Sequence, residues 1–320
     1  MSAAEPTSAA GAPAAAAEGA HLSSPLPTAG REGRTGYGTI VIVGGGCYGS
    51  YYLRQLTRAK DAGAISYDRL LVVDRDPGCR VARAAAGPAV SGAAAAPSAA
   101  AVAAAGGPPR DQDAPELAVA RHHFDALRIE VAGWRDFFAR YLDDACAEPG
   151  RRRNDAIVPS PLMPHLMFDW LLARARARWP GRHVHSAPLE REPSMPWQRA
   201  APDGTHYVSF AEWMCPINCV EPALCPEIRG PRTWSMPPAL RAYADAERAR
   251  GRPVAGPVIF PCVHRAYGVG MFDVADAVAA DAALAGADGP GAFRVLVGTV
   301  SHCHGALGVI EVGAERPPAA

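Results

Sequence analysis

The chain has 320 residues, with 32 Lys and Arg against 32 Asp and Glu, so its formal net charge is zero. A 20% share of charged residues with 49% hydrophobic ones suits one large or two small globular domains and excludes a fibrous or wholly disordered chain. The neutral balance argues against a nucleic-acid partner, whose binding face leaves a basic excess. No apolar run of membrane-spanning length is free of Gly, Pro or charge.

Residues 1–36 are rich in Ala, Pro, Gly and Ser and lack the basic start and Leu-rich run of a secretory signal. They read as a disordered tail. A cytoplasmic, reducing setting follows, in which the eight cysteines are free thiols, metal ligands or redox groups rather than a disulfide framework. Lys60 is the only lysine. A G-x-x-x-x-G-K phosphate loop is therefore excluded, and Schiff-base chemistry is disfavoured.

Thr39 to Val43 is a β-branched run that ends in Gly44-Gly45-Gly46-Cys47-Tyr48-Gly49, followed by a helical stripe of Tyr52, Leu53, Leu56 and Ala59. Leu70 to Val73 is a second strand, with Asp74 at its end. In this G-x-G-x-x-G loop Gly44 serves the tight turn, Gly46 admits a pyrophosphate, and Gly49 lets the helix pack on the strand. The helix N-terminus offers its unpaired N–H groups to phosphate.

Residues 38–76 thus resemble the Rossmann-type NAD(P)-binding superfamily, which includes nicotinamide-dependent dehydrogenases and the nucleotide-binding domains of potassium-transport regulators. The resemblance implies NAD or NADP held by Gly44, Gly46, Gly49 and Asp74. Asp74 at the ribose favours NAD, and the adjacent Arg75 leaves NADP open.

Residues 81–109 are Ala, Gly and Pro with little to bury and read as a low-complexity insertion. Strands are expected at Leu127 to Val131, Ala156 to Val158, Tyr207 to Trp213, Pro257 to Phe260, Arg294 to Val300 and Leu307 to Val312. Helices are expected over Leu162 to Arg178, with its arginines at the C-terminal end, and after Asp273, which can cap. The expected fold is α/β and Rossmann-like: a mainly parallel, doubly wound sheet with a cysteine-rich loop region. Residues 37–180 would form the dinucleotide domain and 181–320 a Cys/His-rich continuation.

Cys215, Cys219 and Cys225 lie within eleven residues on a loop stiffened by Pro216, Pro222 and Pro226. Three soft ligands suit zinc or an iron–sulfur cluster. Cys303 is the leading fourth ligand, with His302, His304, Cys262 and His264 as alternatives. Buried structural thiols or a dithiol redox pair are the competing readings. In a parallel sheet these turns, the glycine loop and the Pro159 to His165 turn would share one edge.

The combination points to an NAD(P)-dependent oxidoreductase with a cysteine-ligated zinc or iron–sulfur site near the nucleotide, and with His165 or His264 as proton carrier. Its substrate would be a small molecule, with homodimerisation left open. The alternative is a non-catalytic nucleotide or redox sensor resembling the potassium-transport regulators.

Overall fold

The computed structural model describes residues 34–86, 121–161, 163–215, 219–252, 254–287 and 289–315. The expected tail up to residue 33, and the part of the expected insertion from residue 87 onwards, lie outside these residues. Residues 81–86 belong to a short helix, α2 (Arg80–Ala86), whose Val81 is fully buried.

The first sheet contains β1 (Gly36–Val43), β2 (Ser66–Asp74), β3 (Leu127–Val131), β4 (Ala156–Val158), β11 (Val263–Ala266) and β12 (Val269–Asp273). Its order is β11-β12-β4-β1-β2-β3. The four N-terminal strands run parallel, whereas β12 is antiparallel to β4 and β11 to β12. Both faces of β1 are covered, so it reads as an unbroken apolar run rather than an alternation. Ile40 and Ile42 pack with Leu53 and Leu56 of α1 (Cys47–Asp61). Val41 and Val43 face the other way, towards Phe137 and Phe138 of α3 (Trp134–Ala147).

The second sheet has the order β10-β13-β14-β7-β6, with β5 also paired to β14. Its strands are β5 (Val184–Ala187), β6 (Trp197–Ala200), β7 (His206–Ser209), β10 (Val254–Pro261), β13 (Phe293–Val300) and β14 (His304–Val312). Only the β10/β13 pair is parallel; the others are antiparallel. Leu224–Cys225 and Gly230–Pro231 (β8 and β9) make a separate two-stranded hairpin.

The mainly parallel, doubly wound Rossmann-like sheet expected from sequence is therefore incorrect: the strands divide between two mixed sheets and a small hairpin. The physical reason lies in loop length. Only Ser301, His302 and Cys303 separate β13 from β14, and a parallel crossover needs a dozen residues or more, so the two strands must form a hairpin. The β11–β12 pair turns through Tyr267 and Gly268 at φ 44° and 82°, the two left-handed residues that a tight hairpin turn requires.

Helices α3, α4 (Leu166–Arg178) and α6 (Val274–Gly286) share one continuous core with both sheets, through Leu171, Ala277, Phe260, Val295 and Ile310. The C-terminal arginines of α4 do more than complement its dipole. Arg174 and Arg178 reach Asp281 of α6 at 2.8 and 3.0 Å. Asp273 forms a capping box at the start of α6 and also pairs with the buried Arg265 and with Arg34. Helix α5 (Met236–Ala249) sets Met236 and Leu240 against Val208, Val300 and Leu307 of the second sheet. The chain passes between the sheets at Cys262, which separates β10 from β11 and bonds through its N–H to the Val300 carbonyl at 2.8 Å.

Candidate functional site

An open cleft of about 540 Å³ lies at the end of the second sheet. Trp197, Ser209, Trp213, Cys215, Cys219, Glu221, His264 and His304 are among the residues that line it. The strands place these groups. Cys215 follows β7, His264 lies in β11 just after the chain leaves β10, and His304 opens β14. Because β7, β10 and β13 point the same way, their C-terminal ends share one rim.

Glu221 organises this rim. Its side chain is 3% exposed. Its carboxylate accepts the Ser301 hydroxyl at 2.6 Å and the backbone N–H groups of His302 and Cys303 at 2.8 and 3.1 Å. His264 Nδ1 stands 3.7 Å from Oε2. Burial alone would push this carboxyl up, but His264, Ser301 and the His302 N–H outweigh it and hold the group at about 2. A carboxylate on the cysteine loop thus grips the β13–β14 turn. Glu221 reaches it from a left-handed backbone, φ 48°, a strained setting for a residue with a Cβ.

Ser209 orients the ring of His304. Ser209 Oγ accepts the Ala211 N–H at 2.9 Å and donates its own hydrogen to the Ala211 carbonyl at 2.7 Å. Ser209 Oγ also lies 2.9 Å from His304 Nδ1, which ties the imidazole to the Ser209–Ala211 turn. Burial lowers the His304 pKa, which keeps the ring neutral. The Trp213 indole stands in the cleft wall beside the Cys215 thiol, whose pKa its hydrogen bond lowers against the larger effect of burial.

The expected metal set is divided. Cys215 and Cys219 reach the cleft, and burial with the neighbouring Cys219 and Cys225 thiols raises the Cys215 pKa. Cys225 belongs to β8, outside the cleft lining. Cys303 is buried in the β13–β14 turn, where its sulfur accepts the Trp234 indole N–H at 3.3 Å and burial pushes its thiol up to about 12. The structure instead brings His264 and His304 to the two cleft thiols. The ligand atoms of these groups stand wider apart than a closed coordination sphere. Among the described residues, Asp61, His122 and His123 alone bring three candidate ligand atoms within 4.8 Å.

His165, expected beside His264, lines a separate small crevice with Phe168, Thr205 and Gly308, and its Nδ1 is buried without a partner. His264 does reach the cleft. Sequence reasoning missed Glu221 and Ser209. A lone acid between Cys219 and Cys225, next to Pro222, was the available signal for the first; nothing marked the second.

The glycine loop is built as its spacing requires. Gly44 adopts φ 90°, and a Cβ on Gly49 would overlap the Gly44 carbonyl oxygen. A Cβ on Gly46 would meet nothing within 4 Å. Asp74 is engaged with the loop itself, accepting the Gly45 N–H at 2.6 Å and the Asp76 N–H at 2.9 Å. Gly44, Gly46, Gly49 and Asp74 are not among the residues that line the cleft.

Residues 167–313 match a family model described as "Uncharacterized protein, C-terminal domain". Every cleft residue lies within this span, whereas the glycine loop lies outside it. No curated protein matches the chain. No solved structure matches it either. Among the described residues, no helix is long and apolar enough to cross a membrane.

Proposed function

We propose that this protein is an NAD(P)-dependent oxidoreductase, with the nucleotide held at the glycine loop and a small-molecule substrate in the cleft of Cys215, Cys219, Glu221, His264 and His304. The observation that carries it is the division of labour among the glycines. Gly44 and Gly49 are fixed by backbone geometry, while Gly46 leaves open space beside the first turn of α1. The first N–H groups of a helix have no partner within it and favour an anion. Asp74 holds the Gly45 amide, and its remaining lone pairs can still accept a ribose hydroxyl.

In the cleft, the His304 imidazole, its pKa lowered by burial, is the group suited to taking a proton from a substrate hydroxyl, and Ser209 keeps its ring oriented. Glu221 holds the turn that carries His304 and faces His264, fixing both imidazoles relative to the thiols. Cys215, Cys219, His264 and His304 are donors of zinc type, but no three of their ligand atoms lie within 4.8 Å of one another, so the chemistry proposed here rests on the protein's own side chains.

The test uses Gly46→Ala. With φ −80° and open space around the new methyl, the variant keeps its fold and thermal midpoint. NADH or NADPH binding, followed by fluorescence titration, is expected to weaken at least about tenfold. Wild-type protein that binds neither dinucleotide, or a variant that binds like wild type, would refute the assignment. The absence of glycine-loop residues from the cleft lining favours a second reading, in which the nucleotide regulates rather than reacts. Binding without consumption of NADH over a panel of carbonyl acceptors selects that sensor.

A further inference from the structure

Asp61 is the last residue of α1, and His122 and His123 lie on the 3-10 turn Arg121–Ala126 that leads into β3. The two Nε2 atoms stand 3.1 and 2.8 Å from the same oxygen, Asp61 Oδ1, with ring centroids 4.1 Å apart. We propose that these three side chains bind one divalent transition metal of the zinc class, with the remaining coordination position open to water. This site is separate from the cleft and does not depend on the nucleotide reading.

Three observations support it. Zinc holds imidazole nitrogen and carboxylate oxygen at about 2.0–2.2 Å, so ligand atoms around a tetrahedral ion lie about 3.3–3.5 Å apart. The two N–O separations fall only a few tenths of an ångström short, and small outward shifts of exposed side chains admit the ion. Access is open, since His122 and Asp61 are 58% and 41% exposed. Lys60, next to Asp61 in the chain, is turned away: it places its Nζ 4.1 Å over the Tyr67 ring and donates to the Tyr67 carbonyl at 2.9 Å.

Two imidazoles with one carboxylate select zinc, cobalt, nickel or copper over magnesium or calcium, which prefer oxygen shells. A bound ion would tie the C-terminal end of α1 to the entrance of β3. The glycine loop lies at the opposite end of that helix.

The experiment is a zinc titration of the full chain carrying Cys215→Ser and Cys219→Ser, which removes the cleft thiols. One zinc per chain is expected, binding at least about tenfold more weakly after His122→Ala or Asp61→Asn is added. Zinc should raise the thermal midpoint only where the three ligands are intact. If the serine variants do not fold, wild-type protein with its accessible thiols alkylated replaces them. Zinc binding that survives His122→Ala together with Asp61→Asn overturns the proposal, as does a thiol-blocked chain that takes up no zinc. Cobalt gives a second readout: a nitrogen and oxygen spectrum supports the site, and thiolate charge-transfer bands in the blocked chain count against it.

Discussion

Glu221→Ala is expected to destabilise the protein by about 3 kcal/mol, because it removes the acceptor shared by the part-buried Ser301 hydroxyl and His302 N–H and the buried Cys303 N–H, and leaves His264 without its carboxylate. Chemical denaturation measures this directly. Glu221→Gln gives a sharper comparison across pH. The folded carboxyl sits at about 2 against an ordinary 4.5, a depressed value worth about 3 kcal/mol. That contribution is fully present above pH 4.5 and disappears as the pH falls from 4.5 towards 2. Wild type should therefore lose more stability than Glu221→Gln over that window. Parallel pH profiles for the two would mean that Glu221 is not the group holding the turn.

A second large effect is expected at Gly49. An added methyl there overlaps the Gly44 carbonyl oxygen, and because the obstacle is backbone, no side-chain rotation relieves it. Gly49→Ala should cost several kcal/mol, at or beyond the upper end of ordinary overpacking at about 3. Gly46→Ala, whose added methyl meets nothing within 4 Å, should cost far less. Thermal unfolding of the pair reads the contrast, and equal midpoints would show that the loop is not packed as described.

Much of the fold was legible because its strands are buried on both faces or bounded by turn residues. The strands at Leu127–Val131 and Ala156–Val158 match expectation residue for residue. Helices α3 and α5 went unseen. Their buried residues, such as Phe137, Tyr141, Met236 and Leu240, are separated by arginines and acids that weaken a stripe read by eye. Strand direction was misjudged although the sequence held the answer in the three residues between Val300 and His304. The brief strands β5, β6, β8 and β9 carry too few residues for a period to emerge.

At the cleft, position was readable and partnership was not. Cys215 and His264 follow the ends of β7 and β10, and His304 opens the strand after β13, so they converge at one rim because those three strands point the same way. That Cys303 turns into the core to meet Trp234, or that Ser209 orients His304, depends on which strand lies beside which. Such neighbours come from sheet pairing and leave no mark on local composition.

The passage of the backbone through Cys262 has a bearing on how this protein melts. The segment that matches the family model begins at residue 167, yet β11 and β12, which lie within it, complete a sheet whose other four strands precede it. A fragment cut at that limit would leave β12 without β4 and would strip Phe272 and Ala277 of neighbours such as Val41 and Phe137. The matched segment and the cooperative unit therefore have different borders, and calorimetry of the intact chain should record one transition rather than two.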